Sequence, residues 1–255
     1  MNNVWVIAKK EINSYFASPI AYLLMTMFAV IFGFFFWNVV GYFVFVGMQQ
    51  QFGGRGFPMN INEQIIRPLL SNVSVIGLFL LPLITMRLFA EEKRSGTIEL
   101  LLTSPVTDLQ ILLGKWLAAM LMYIAMLLVA GLNFLFLFIY GQPDWRPMLV
   151  GFLGLLLQAG GLLAIGLFIS TLTRNQIIAG AATFGVGLLL WVMEWVSGYE
   201  SATWARVMAY LSIVSHFENF AKGVLDSKDV IFYLSVIFLG LFLTARSLES
   251  LRWRA

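Results

Sequence analysis

Six apolar stretches divide the chain, at residues 20–46, 68–86, 117–139, 148–172, 177–193 and 230–245. Each approaches the roughly 20 residues that a helix needs to cross about 30 Å of hydrocarbon. The sixth is the shortest, and its start is the least sharply marked. Ahead of the first, residues 1–17 carry a different pattern. Val4, Ile7, Ala8, Ile12, Tyr15 and Phe16 recur at helical spacing, with Lys9, Lys10 and Asn13 on the other side. Ser18 and Pro19 interrupt that pattern, which predicts a short interfacial helix turning sharply into the membrane. The alternative is an ordinary basic flank anchoring the first span. Residues 47–67 form a Gly- and Asn-rich connector with no recognisable site. Between the fifth and sixth spans, residues 194–229 hold two apolar segments too short to cross, Trp204–Leu211 and Phe217–Leu225. They are expected as small helices at the outer interface.

Composition makes the solvent explicit. Hydrophobic residues are 60% of the chain and charged residues 11%, against roughly 25% charged in a soluble domain. A core of 255 residues cannot hide that much apolar surface, so the solvent must be lipid. The predicted fold is an all-α membrane protein in which residues 1–255 form a single transmembrane domain. No charge lies between Glu11 and Arg55, and the first apolar run is far longer than the core of a secretion signal, so it is expected to be retained. The chain has no cysteine, which excludes disulfides, thiolate metal sites and cysteine nucleophiles. The net charge of +3 comes from scattered residues with no basic block, so no nucleic-acid partner is expected.

Charge also orients the spans. With the N terminus inside, ten Lys and Arg fall on inner segments and six on outer ones, which places both termini in the cytoplasm. Six acidic residues fall inside and seven outside, and decide nothing.

The most informative stretch is the inner insert at residues 87–115. Its centre runs Glu91-Glu92-Lys93-Arg94-Ser95-Gly96-Thr97-Ile98-Glu99-Leu100-Leu101-Leu102-Thr103-Ser104-Pro105. Ile98, Leu101 and Leu102 share a helix face at i, i+3 and i+4. Pro105 ends that helix by moving Ser104 out of the α region. Thr107 and Gln110 have the spacing of a capping box, so a new helix starts there and climbs through Lys115. A plain connector needs two to eight residues. So structured an insert reads either as a docking element for a cytoplasmic partner or as a surface helix shielding the inner mouth.

The insert closely resembles the coupling-helix region of ABC-2-type transporter permeases. The family pattern E-E-x-x-x-G-T-x-E-L-L-L-x-x-P-V, followed by a helix with a Gly-Lys pair, is matched by Glu91, Glu92, Gly96, Thr97, Glu99, Leu100, Leu101, Leu102, Pro105, Val106, Gly114 and Lys115. His216, Phe217, Gly223, Val224 and Asp229, ahead of the last span, are also similar to that family. The resemblance covers nearly the whole chain and is strongest to gliding-motility-associated permeases. It implies a non-catalytic membrane subunit in the bacterial cytoplasmic (inner) membrane. Two protomers, the same or homologous, would pair above cytoplasmic ABC ATPase subunits, with export as the direction. The docking residues it implies are Glu91, Glu92, Arg94, Gly96, Thr97, Ile98, Glu99, Leu101, Leu102 and Pro105.

The chain shows no nucleotide site of its own. Gly114-Lys115 is followed by Trp116, and Leu109 stands where a phosphate loop needs its first glycine. ATP and Mg are therefore expected in the partner ATPase, and no cofactor in this chain.

Other candidates are weaker. Glu91-Glu92 suggests an intramembrane protease, but the single histidine, His216, lies far away on the other side. His216 reads as a packed polar residue and Glu194 as an interface residue beside Trp191 and Trp195. With no buried run of acids, a secondary transporter is disfavoured. Ala179, Thr183 and Gly187, like Ala181 and Gly185, have small-xxx-small spacing. That predicts close helix contact, either within the chain or at a protomer interface lining the transport path. The first functional reading is thus an ATP-driven permease subunit. The alternative is a module that transmits force to envelope partners without moving a solute.

Overall fold

Pro19 separates the first two elements of the computed structural model, which describes residues 2–53, 60–103, 105–193, 195 and 203–252. Helix α1 (Asn2–Ala17) stops at Ser18, and α2 (Pro19–Gly53) starts on the proline, whose missing N–H costs nothing in a first turn. A π-helical turn at Asn62–Ile66 runs into α3 (Arg67–Thr85), which carries Pro68 in its first turn and Pro82 near its end. Two one-turn helices follow, α4 (Ala90–Ser95) and α5 (Ile98–Thr103). Gly96 sits between them at φ +73°, the left-handed conformation that stops a helix and favours glycine.

The expected capping box opens α6 (Asp108–Tyr140): Thr107 Oγ1 accepts from the Gln110 N–H at 3.4 Å, and Gln110 Oε1 accepts from the Thr107 N–H at 3.2 Å. Asp144 caps α7 (Trp145–Leu172) and Asn175 caps α8 (Gln176–Val192). The short pair α9 (Thr203–Leu211) and α10 (Ile213–Ala221) leads to α11 (Ser227–Arg252). The second of these starts four residues before the apolar segment predicted at Phe217. Its N-cap is Ser212, whose hydroxyl accepts from the Ser215 N–H at 3.3 Å. No strand occurs among the described residues. Glu194 lies outside them.

Among the described residues, five helices are long and apolar enough to cross a membrane: those spanning Pro19–Gln49, Asn62–Ser95, Asp108–Tyr140, Trp145–Leu172 and Ser227–Arg252. The chain is an integral membrane protein. The expected fifth span is α8, a shorter apolar helix of 17 residues, about 26 Å long.

Helices α3 and α7 are mostly buried, whereas α2 and α11 expose most of their apolar surface. Helix α7 is the centre, packed by α11, α3, α10, α8 and α6. Glycines allow its closest contacts. A Cβ on Gly166 would lie 2.3 Å from Thr85 Oγ1 of α3 and 2.9 Å from Thr183 Cγ2 of α8. A Cβ on Gly240 of α11 would lie 2.8 Å from the Ala164 carbonyl carbon. Such contacts hold helices together where lipid removes the hydrophobic drive between them.

Candidate functional site

The insert folds around Lys115, in the second turn of α6. Its side chain is 1% exposed. The ammonium donates to Glu11 Oε1 at 2.9 Å, Glu92 Oε1 at 2.8 Å and the Leu88 carbonyl at 2.7 Å. All three of its N–H donors thus have partners. The Phe89 ring centroid lies 5.1 Å away, within cation–π range. Lys10 completes the group at 3.6 Å from Glu11 and 3.7 Å from Glu92. Two lysines and two glutamates balance in charge, with Lys115 buried and Lys10 the solvated member.

This cluster ties α1, α4 and α6 together, and backbone shape brings α1 close. A Cβ on Gly114 would lie 2.7 Å from Ile7 Cγ2 and 3.0 Å from the Val4 carbonyl oxygen. Tyr15 adds a second tie, its hydroxyl donating to the Ile84 carbonyl at 2.9 Å. Burial, with Glu11 nearby, pushes that phenol far above its ordinary range, so it stays neutral and donates.

Further bonds hold the strap between α3 and α5. Arg87 forks onto Glu91 at 2.8 and 3.3 Å and reaches Ser18 Oγ at 3.3 Å. Ser170 Oγ of α7 accepts from the N–H groups of Phe89 and Ala90 at 2.8 and 3.0 Å, capping α4 from outside. Lys93 donates to the Thr171 carbonyl, and Thr171 Oγ1 meets Ser247 Oγ of α11 at 2.7 Å. Arg252 pairs with Asp108 at 3.2 Å. The end of α11 therefore lies at the same end of the bundle as α1 and Lys115.

The residues predicted for docking divide in two. Glu92 turns inward to Lys115 and Glu91 is half-buried on Arg87. Arg94, Gly96, Thr97, Glu99 and Pro105 are exposed, and Ile98 is partly buried against the core. The side chains of Leu101 and Leu102, and Ser104 altogether, lie outside the described residues. Leu100 projects outward, 73% exposed. The exposed surface is thus one turn of α5 with Arg94 to Thr97, carried on a strap bonded to α1, α6 and α7.

Ala179, Thr183 and Gly187 are buried within the chain, on the side of α8 that meets α3 and α7. Within the single chain, a Cβ on Gly187 would meet Leu78 of α3 and Leu162 of α7 at 3.8 and 3.6 Å. Ala181 is exposed, and no atom lies within 4 Å of a Cβ on Gly185. Midway along α7, Gln158 is buried and accepts from Ser74 Oγ of α3 at 2.8 Å. No grouping of three His, Asp or Glu that could hold a metal occurs among the described residues.

Sequence reasoning missed the Lys115 cluster. Glu11 and Lys115 are 104 residues apart, and Lys115 was visible only as the partner of Gly114 at the foot of a span. A lone lysine three residues into an apolar run, with a lone glutamate on the preceding amphipathic helix, is the signal that could have found it.

Comparison with known proteins agrees with this architecture. The profile described as ABC-2 family transporter protein matches residues 5–245. A protein described as probable multidrug ABC transporter permease YbhR, from Escherichia coli strain K12, is 24% identical over 170 residues, covering 63% of this chain and 43% of its own length. Its counterpart in Escherichia coli O157:H7 matches equally. The chain therefore spans less than half the length of these relatives.

Proposed function

The chain belongs to the ABC-2 family of transporter proteins, and from that membership we propose that it is the membrane subunit of an ATP-driven exporter. ATP and Mg are bound by a separate cytoplasmic ABC ATPase, and two permease protomers pair to form the path. The observation that carries this reading is the Lys115 cluster. It fastens an exposed one-turn helix to the foot of α6, to α1 and, through Ser170 and Thr171, to α7. A load applied at α5 reaches spanning helices through bonded atoms and not through a loose loop.

Helix α8 is counted as the sixth span. It leaves the Thr171 end of α7 at Asn175, and the chain resumes at α9 and α10, which pack at the other end. Six crossings place both termini on one side, in keeping with the tie of Arg252 to Asp108. The positive-inside count makes that side the cytoplasm of a bacterial inner membrane. The docking surface includes the exposed Arg94, Gly96, Thr97, Glu99, Leu100 and Pro105, together with Ile98, Leu101 and Leu102, which helical spacing groups on one face. Glu91 and Glu92 hold the strap in place.

The test is co-expression with the ABC ATPase of its own gene neighbourhood, purification into lipid, and ATP turnover. Wild type retains the ATPase and alters its turnover. Leu100→Asp puts a charge where an apolar anchor would be desolvated, a loss on the order of several kcal/mol of binding, and since Leu100 is exposed the fold is unaffected. Retention of the ATPase by Leu100→Asp at wild-type level, or no binding by wild type, refutes the proposal.

A further inference from the structure

At the end of α7 opposite Lys115, a second buried polar group closes α9 and α10 onto α11. His216 of α10 and Asp229 in the first turn of α11 are 4% and 1% exposed. The His216 ring stacks on Phe232, centroids 3.9 Å apart. Its Nε2 lies 2.8 Å from the carbonyl oxygen of Tyr210, in the last turn of α9. Its Nδ1 lies 2.6 Å from Asp229 Oδ1. Asn219 Nδ2 donates to the other carboxylate oxygen at 2.7 Å.

These contacts count protons. A backbone carbonyl only accepts, so Nε2 carries hydrogen. The contact between Nδ1 and a carboxylate oxygen also needs a proton between them, since two bare lone pairs do not approach to that distance. The pair therefore holds one proton beyond the one on Nε2. With Asn219 donating to Oδ2, Asp229 receives two hydrogen bonds, the environment of an ionised carboxylate.

We propose that His216 is an imidazolium locked to ionised Asp229, and that its Nε2 proton latches α9 onto the joined α10 and α11. One ring then joins three helices: α9 through the Tyr210 carbonyl, its own α10, and α11 through Asp229. On deprotonation the carboxylate keeps the Nδ1 proton by its charge-assisted bond, the Nε2 lone pair is left facing the Tyr210 carbonyl oxygen, and the ring parts from α9.

The other described charged groups on these helices are engaged elsewhere, and the side chain of Arg206 on α9 lies outside the described residues. On α10, Glu218 pairs with Lys222 and with Arg67 of α3. On α11, Lys228 lies over the Tyr210 ring at 5.9 Å, Asp226 bonds the Lys228 N–H, and the Tyr233 hydroxyl donates to the Ile213 carbonyl. Helix α8 has no charged residue, and the charge at the start of α7, Arg146, stacks on Trp145. Among the described residues only Asp229 meets the ring with a charge. A latch made by a bound proton is in place on the acid side and is lost as pH rises. In the orientation proposed above it faces the outside, but the latch itself does not depend on that orientation.

His216 is the only histidine in the chain, so histidine-selective 15N labelling of the full chain in lipid vesicles yields one ring to observe. At about pH 6, both ring nitrogens are expected to carry protons. Raising the pH removes the Nε2 proton and leaves that on Nδ1, against the carboxylate. A spin label on Val207→Cys, exposed on α9, gains mobility over the same interval. In Asp229→Asn, the new amide donates to Nδ1 of a neutral ring and accepts from Asn219. That variant keeps the three helices joined and makes the label insensitive to pH. A neutral ring in wild type at about pH 6, a wild-type label that ignores pH, or an equal response in Asp229→Asn overturns the proposal. Should Asp229→Asn not fold, the wild-type ring spectrum decides alone.

Discussion

Replacing Lys115 with Met keeps the length and apolar stem of the side chain and removes only the ammonium. Three contacts of 2.7–2.9 Å vanish with it. Two carboxylates, each 13% exposed, and the Leu88 carbonyl then lose their shared partner. Breaking a buried ion pair by deleting one member costs about 3–5 kcal/mol, because the remaining charge is stranded. Here the lower end applies. Lys10 is already 3.6 and 3.7 Å from the two acids and is largely solvated, so it can take up part of the lost role. The expected loss is about 3 kcal/mol, read as unfolding in detergent titrated with SDS. Adding Glu11→Gln and Glu92→Gln to Lys115→Met neutralises the stranded charges and should recover most of that loss, since uncharged replacements of buried ion groups are often close to neutral. ATP turnover with the ATPase should stay uncoupled in the triple variant even as stability returns, because α1, α4 and α6 are no longer bonded together. If Lys115→Met unfolds within about 0.5 kcal/mol of wild type, the range of an ordinary surface substitution, the ammonium is not the partner of these acids and the cluster is not the tie described.

Two further outcomes follow from the same end of the molecule. Gly114→Leu places a branched side chain where a Cβ alone would meet Ile7 at 2.7 Å. It should prise α1 from α6 at a cost of about 1–3 kcal/mol, seen as faster proteolysis of residues 1–17 with the spans intact. Ser95→Cys, the first cysteine in the chain, sits on an exposed turn and should react with a membrane-impermeant thiol reagent only in inside-out vesicles. Labelling from outside intact cells would reverse the topology.

The helices were legible because each is a long apolar run closed by charge or proline, and lipid imposes a minimum length on such runs. The break at Ser18-Pro19 and the capping box at Thr107 and Gln110 were legible for a different reason: both are local, set by residues within four positions of each other. What spacing could not reveal is which helix meets which. Ala179, Thr183 and Gly187 announce close packing, and nothing in their spacing says that the neighbour is Leu78 or Leu162 of the same chain and not a second protomer. The ion cluster was hidden likewise. In the sequence Glu92 read as a docking residue, and only folding brings it to Lys115, 23 residues on.

Polar groups placed at the two ends of α7 then decide which parts move together. In lipid, apolar side chains do not choose one helix neighbour over another, so close backbone contact and bonded polar groups must do so. At the α5 end, the ion cluster and the Ser170 and Thr171 bonds join α1, α4 and α6 and clamp them to α7 by several independent ties. At the other end, α10 meets α11 through His216, Asn219 and the Tyr233 hydroxyl, and the polar tie of α9 to them is the His216 ring. Under the proposed coupling, a push on α5 cannot be absorbed at its own end and is carried up α6, whose 33 residues extend about 50 Å. A tilt of only ~5° over that length moves the far end by ~4 Å, more than a hydrogen bond tolerates. The end held by many bonds transmits such a motion, and under the proposed latch the α9 contact, which depends on one proton, is where it can be released.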